Sequence, residues 1–88
     1  MTHEKDTLLE FPCQYAVKAF GQGDDFVAHI VDIVKQHIPP MAAIKHHSRP
    51  SKNGKYIAAT VTITATSKAQ LDAIYHQLTA DVKVVMSL

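Results

Sequence analysis

The residues able to do chemistry in this chain are few: six histidines, one cysteine, one arginine and a single Gly-Gln-Gly tripeptide. Asp25 and His29 stand four apart and Asp32 three further on, a spacing that shares one helix face and could begin a metal site. A closed zinc site needs four donors, however, and His46 and His47, adjacent in an extended segment, point to opposite sides of it. The histidines are therefore read as residues of solvated faces, and neither a metal nor a cofactor is expected. Cys13 has no histidine beside it and falls on an apolar face, so it reads as a small hydrophobe and not as a nucleophile. No acid and base converge at a recognisable spacing, and the chain reads as non-catalytic.

Gly21-Gln22-Gly23 supports two readings. Glycines between a strand and a helix let a ligand approach the backbone, and free N–H groups at a helix start attract a carboxylate or phosphate. The same residues make an ordinary turn, and Asp24 and Asp25 just beyond them repel an anion. Gly21, Gln22 and Gly23 are thus one candidate ligand site, for a small metabolite. A phosphate-cradling loop would also want an arginine, and the only one is Arg49, elsewhere in the chain.

The elements that must carry these groups are set by residues 51–66. Asn53-Gly54 is a strong hairpin signal, expected as a type I′ turn with positive φ at both residues. After it Ile57, Ala59, Val61, Ile63 and Ala65 alternate with Tyr56, Ala58, Thr60, Thr62, Thr64 and Thr66, giving a long strand with an apolar face and a threonine face. Upstream, Phe11, Cys13, Tyr15, Val17 and Ala19 alternate with Gln14, Ala16 and Lys18 in a first strand, with pairing expected from near Gln14 because Pro12 lacks an N–H. Phe26, Val27, Ile30, Val31, Val34 and Ile38 recur at helical spacing; Asp24 or Asp25 would cap that helix, and Pro39-Pro40 would end it. Residues 41–49 read as a basic edge strand with Ala42, Ile44 and His46 inward and Ala43, Lys45, His47 and Arg49 outward. Ser67 and Gln70 form a capping box before a helix whose stripe is Leu71, Ile74, Tyr75 and Leu78. A last strand follows over 82–88, with Val82, Val84, Met86 and Leu88 facing the helices.

The order β-α-β-β-α-β predicts an α+β ferredoxin-like two-layer sandwich, an antiparallel sheet of order 4-1-3-2 with both helices on one face. The 88 residues are one domain, residues 1–9 being a loose tail with an apolar anchor at Leu8-Leu9. The open face then becomes a second candidate site, an interaction surface formed by Tyr56, Thr60, Thr62 and Thr64. Nine Lys plus Arg against eight Asp plus Glu leave no overall charge footprint for nucleic acid or an anionic membrane. An RNA-binding sheet would also display aromatics for base stacking, and Tyr56 is the only one on the third strand. A lone cysteine, with no apolar leader and no apolar run near the roughly 20 residues of a membrane span, points to a cytoplasmic protein. The expected partner is a small metabolite or another protein, the expected state a monomer or weak homodimer.

Residues 8–13 (Leu-Leu-Glu-Phe-Pro-Cys), Lys18, Gly21, Gly54-Lys55-Tyr56 with its threonines, Gln70-Leu71, Tyr75, Leu78 and Val85-Met86-Ser87-Leu88 together resemble the YbeD-like family of small bacterial proteins. The resemblance covers most of the chain from Leu8 onward and is faintest over 39–49. It implies an ACT-like regulatory domain without catalytic activity, with a link to lipoate metabolism. ACT-type domains often hold an effector near the first loop at a dimer interface, which adds to the ligand reading of Gly21 to Gly23.

Overall fold

The computed structural model describes residues 9–51 and 53–88. The tail expected over 1–9 lies, apart from Leu9, outside them, as does Lys52; Leu9 packs against the core as an anchor should. The elements are β1 (Cys13–Gly21), α1 (Phe26–Lys35), β2 (Ile44–Pro50), β3 (Ile57–Ala65), α2 (Lys68–Ala80) and β4 (Val84–Ser87). All strand pairs are antiparallel in the order β2-β3-β1-β4, which is the ferredoxin-like topology, and the central pair runs unbroken from Cys13 opposite Ala65 to Gly21 opposite Ile57.

Strand alternation builds the core. Val17, Ala19, Ala59, Val61, Ile63 and Ala65 are all buried beneath Phe26, Ile30 and Val34 of α1 and Leu71, Ile74 and Leu78 of α2. The second helix starts as its sequence demands, with Ser67 Oγ accepting the Gln70 N–H at 3.1 Å. Gln70 reaches back one residue further than a capping box requires, accepting from the Thr66 N–H, while its amide donates to the His37 carbonyl at 2.9 Å and ties the helices together.

Four local expectations are corrected. First, Asn53 has no positive φ, so the turn is not type I′. Its link is instead a Gly54 N–H to Ser51 carbonyl bond of 2.9 Å, with Asn53 using its side chain as acceptor for the Lys55 N–H. Gly54 alone takes the left-handed conformation, at φ 75°. A longer loop lets one glycine relieve what a two-residue turn would share. Second, α1 stops at Lys35, and neither Asp24 nor Asp25 caps it with a side chain. Third, β2 begins only at Ile44 and its His46 is exposed, because beyond Ile44 no helix covers this edge. Fourth, β4 is only four residues long and carries an irregularity against β1 between Phe20 and Gly21. Val84 pairs with Gly21 but Met86 pairs with Phe20, so Val85 is extra and the parity flips. Met86 and Leu88 therefore leave the helix side, and Val82 is almost wholly exposed.

The turn carries a test. A Cβ at Gly54 meets nothing within 4 Å, so Gly54→Val costs only backbone strain, about 1–2 kcal/mol, or roughly 5 °C or more in melting temperature. Lys55→Val costs little, and thermal melts of the two variants measure the difference.

Candidate functional site

The face of the sheet turned away from the helices is a trough, not a flat threonine wall. A depression of about 520 Å³ lies over β1 and β3, and strand register explains its profile. In one row across the sheet Met86, Phe20, Ala58 and Arg49 stand side by side; in the next come Lys18, Thr60 and His47; in the third Ala16, Thr62 and Lys45. The floor is low where small side chains stand, at Ala58, Thr60 and Thr62 of β3 and Ala16 of β1. One wall, on β2, is His47 and Arg49, and Lys45 continues the same face of the strand beside Thr62. The other end is apolar, where the β4 irregularity delivers Met86, 52% exposed, beside Phe20, and Leu88, 61% exposed, exchanges backbone hydrogen bonds with Lys18.

Charge is segregated between the two layers. The described carboxylates, Glu10, Asp24, Asp25, Asp32, Asp72 and Asp81, all lie outside the strands. The ion pairs lie on the helical side: Lys83 Nζ meets Asp25 at 2.8 Å and Lys68 meets Asp72 at 2.9 Å, while His29 Nε2 lies 2.7 Å from Asp81. Lys18, Lys45 and Arg49 have no carboxylate partner among the described residues. The near-zero total from the sequence thus conceals a trough with basic residues and no Asp or Glu, while the described acidic side chains lie elsewhere, some paired with Lys68 and Lys83.

Of the residues expected on this face, Thr60 and Thr62 line the trough. Thr64 is drawn aside, its hydroxyl accepting from Gln14 Nε2 at 2.8 Å. Tyr56 precedes β3 at the hairpin end, where its N–H donates to Ser51 Oγ and Lys55 Nζ sits 5.6 Å from its ring. Sequence reasoning passed over Phe20, and it read the outward run Lys45, His47, Arg49 as edge protection and not as part of a site, because a charge count over the whole chain averaged that run away.

The first loop is differently built. A Cβ on Gly21 would lie 2.2 Å from Phe26 and 2.5 Å from the Lys83 carbonyl, so its α-carbon is packed against neighbours and leaves a ligand no approach there. Gly23 takes φ 108°, and Gln22 is exposed. Close packing at one glycine and a left-handed turn at the other account for both. The Lys83 ammonium beside Asp25 holds that carboxyl below the usual range, keeping negative charge at the helix start. Asp81 closes the α2–β4 turn by accepting the Lys83 N–H at 2.8 Å. Partial burial pushes its carboxyl up, but that N–H, the His29 ring and the Lys83 charge together hold it below the usual range. His29 therefore serves as a strut between α1 and that turn, and no cluster of three or more His, Cys, Asp or Glu able to hold a metal ion forms among the described residues. Cys13 is half-buried against the core. Tyr75 donates to the Leu88 main-chain oxygen and meets Tyr15 edge-on at 6.5 Å; burial raises its hydroxyl well above the ordinary phenol range. Among the described residues no helix is long and apolar enough to cross a membrane.

The chain is similar to several known proteins. A family model described as a protein of unknown function (DUF493) matches residues 6–88. A UPF0250 protein of Chromobacterium violaceum is 45% identical over 89 residues, covering all of both chains. One from Ralstonia nicotianae is 41% identical over 97% of this chain and 91% of its own. Among solved structures, the solution structure of protein HP0495 from Helicobacter pylori superposes with a TM-score of 0.78 over 100% of this chain and 93% of that one, at 17% identity, which speaks to the fold alone.

Proposed function

We propose, from the premise that this chain belongs to the DUF493 (UPF0250) family of small bacterial proteins, that it works by binding a partner and not by catalysis, with the open face of its sheet as the contact surface. The observation that carries this reading is the trough itself: a concave strip with a polar, cationic wall whose lysines and arginine have no carboxylate partner among the described residues. Soluble domains rarely gather like charge without a use, because self-repulsion costs stability that a complementary partner returns. A regulatory role linked to lipoate metabolism is what the family resemblance adds, and a cytoplasmic setting fits the single Cys13.

The test is recovery of partners from the host by the full chain, followed by mass spectrometry, with two variants. Thr62→Arg fills the trough floor and is expected to lose the partner, while Gly23→Ala, altering only the first loop, is expected to keep it. A partner retained by Thr62→Arg and lost by Gly23→Ala would move the site to the first loop and overturn this reading.

A further inference from the structure

Resting on that reading of the open face, we infer that its occupant is an amphipathic α-helix of a partner protein, carrying a stripe of carboxylates beside a stripe of apolar side chains. Three features of the trough lead there. β3 is hydrogen-bonded on both sides, and β1 is so from Lys18 to Gly21, so the floor of the trough offers an incoming chain no free backbone donor or acceptor; unpaired edges lie only at its rim, on β2 and on β1 before Lys18. An extended segment lying there would leave its own peptide groups unsatisfied, whereas a helix brings its hydrogen bonds with it. Four strands about 4.8 Å apart make a surface roughly 14 Å across, enough to seat a helix about 10 Å wide.

Charge complementarity supplies the second feature. Lys45, His47 and Arg49 recur on one face of β2, so their side chains repeat about every 7 Å along the wall. Carboxylates at i, i+4 and i+8 of a helix repeat about every 6 Å, which sets one acid near each of the three residues. No strand of the sheet carries an Asp or Glu that would repel them. The third feature is an apolar end: Phe20 and Met86 lie across Ala58 from Arg49 and meet the adjoining stripe of the helix, while Lys18, across Thr60 from His47, adds to the charge that its carboxylates face. The same charge argues against a second copy of this chain face to face, since that would oppose two basic walls. A small anion fits the arrangement less well, because the trough is half open and small-molecule sites bury most of their ligand.

The probe is a synthetic 18-residue amphipathic helix with Glu at three i, i+4 positions beside a leucine stripe, titrated into the isotopically labelled full chain and followed by nuclear magnetic resonance. Shift changes are expected at Ala16, Lys18, Thr60 and Thr62, with affinity falling about tenfold when the three Glu become Gln, and about tenfold for Arg49→Glu. Thr64→Ala, outside the trough, should bind unchanged. Equal binding of the Glu and Gln peptides, or shifts confined to α1 and α2, would overturn the inference. So would tighter occupation of the same residues by oligothymidylate, which would make the surface a single-strand binder, or by inorganic phosphate, which would make it a small-anion site. If Thr62→Arg loses the host partner but the Glu peptide fails to compete for it, the open face stands and the acidic helix falls. If the host partner survives Thr62→Arg, the contact surface itself is elsewhere.

Discussion

Gly21→Ala is expected to lower the melting temperature by more than about 12 °C, the largest effect of adding a single methyl group to this chain. The built Cβ would stand 2.2 Å from the ring of Phe26, which is fully buried, and 2.5 Å from the carbonyl of Lys83. Neither neighbour can retreat cheaply. Phe26 is wedged at the start of α1 under the core, and the Lys83 carbonyl belongs to the turn that Asp81 and the Asp25–Lys83 pair hold in place. Overpacking a tight site costs about 1–3 kcal/mol and occasionally more, and a clash with backbone belongs at the upper end. Gly23→Ala is the control: its Cβ would meet only the Asp25 carboxylate, at 3.1 Å, and the penalty is the left-handed backbone, about 1–2 kcal/mol. Calorimetric melts giving equal values for the two would show that the Phe26 contact is looser than described. Phe26→Leu in the Gly21→Ala background should recover part of the loss, since neighbouring substitutions do not add.

That pair of glycines marks where sequence reasoning reached its limit. Strand–glycine–helix is a pattern shared by ligand loops and by ordinary turns, and only the distance from Gly21 to Phe26 and Lys83 separates them. Both helices, the antiparallel order and the buried face of β3 were legible, because alternation at two residues and recurrence at three or four report burial directly. Register across strands was not. Nothing in Val84-Val85-Met86 announces that Val85 is passed over by β1, yet that one residue sends Met86 to the open face beside Phe20. The trough was half legible in the same way. The threonines announced an uncovered face, while the meeting of Lys18 with His47 across Thr60 needed the pairing of three strands. The turn at Asn53 fell between these cases: a hairpin was plain from Asn-Gly, but loop length, which decides the turn type, is a property of where Pro50 and Ile57 pair.

Arginine placed at two successive positions of β3 should separate the layers completely. Val61 is fully buried between the sheet and the helices, whereas Thr62, its neighbour, is half-buried on the trough floor beside Lys45. Val61→Arg forces a guanidinium among Val17, Phe26 and Ile30 with no carboxylate within the core to meet it, since no polar or charged residue is buried there among the described residues. The penalty for an unpaired buried charge is several kcal/mol, before any cost of overpacking. A domain of this length is stable by about 4–13 kcal/mol in total, so Val61→Arg is expected to be unfolded or nearly so at room temperature. Thr62→Arg can lift its charge out of the trough while its methylenes cover Ala16, and should keep a native far-ultraviolet circular dichroism spectrum and a cooperative melt. Its added charge beside Lys45 costs well under 1 kcal/mol at physiological salt, where exposed like charges are screened. The contrast matters beyond stability, because loss of partner binding by Thr62→Arg identifies a contact surface only if the variant is folded. An unfolded Thr62→Arg chain would mean that the trough is closed in solution, and the open face would then no longer serve as the site of binding.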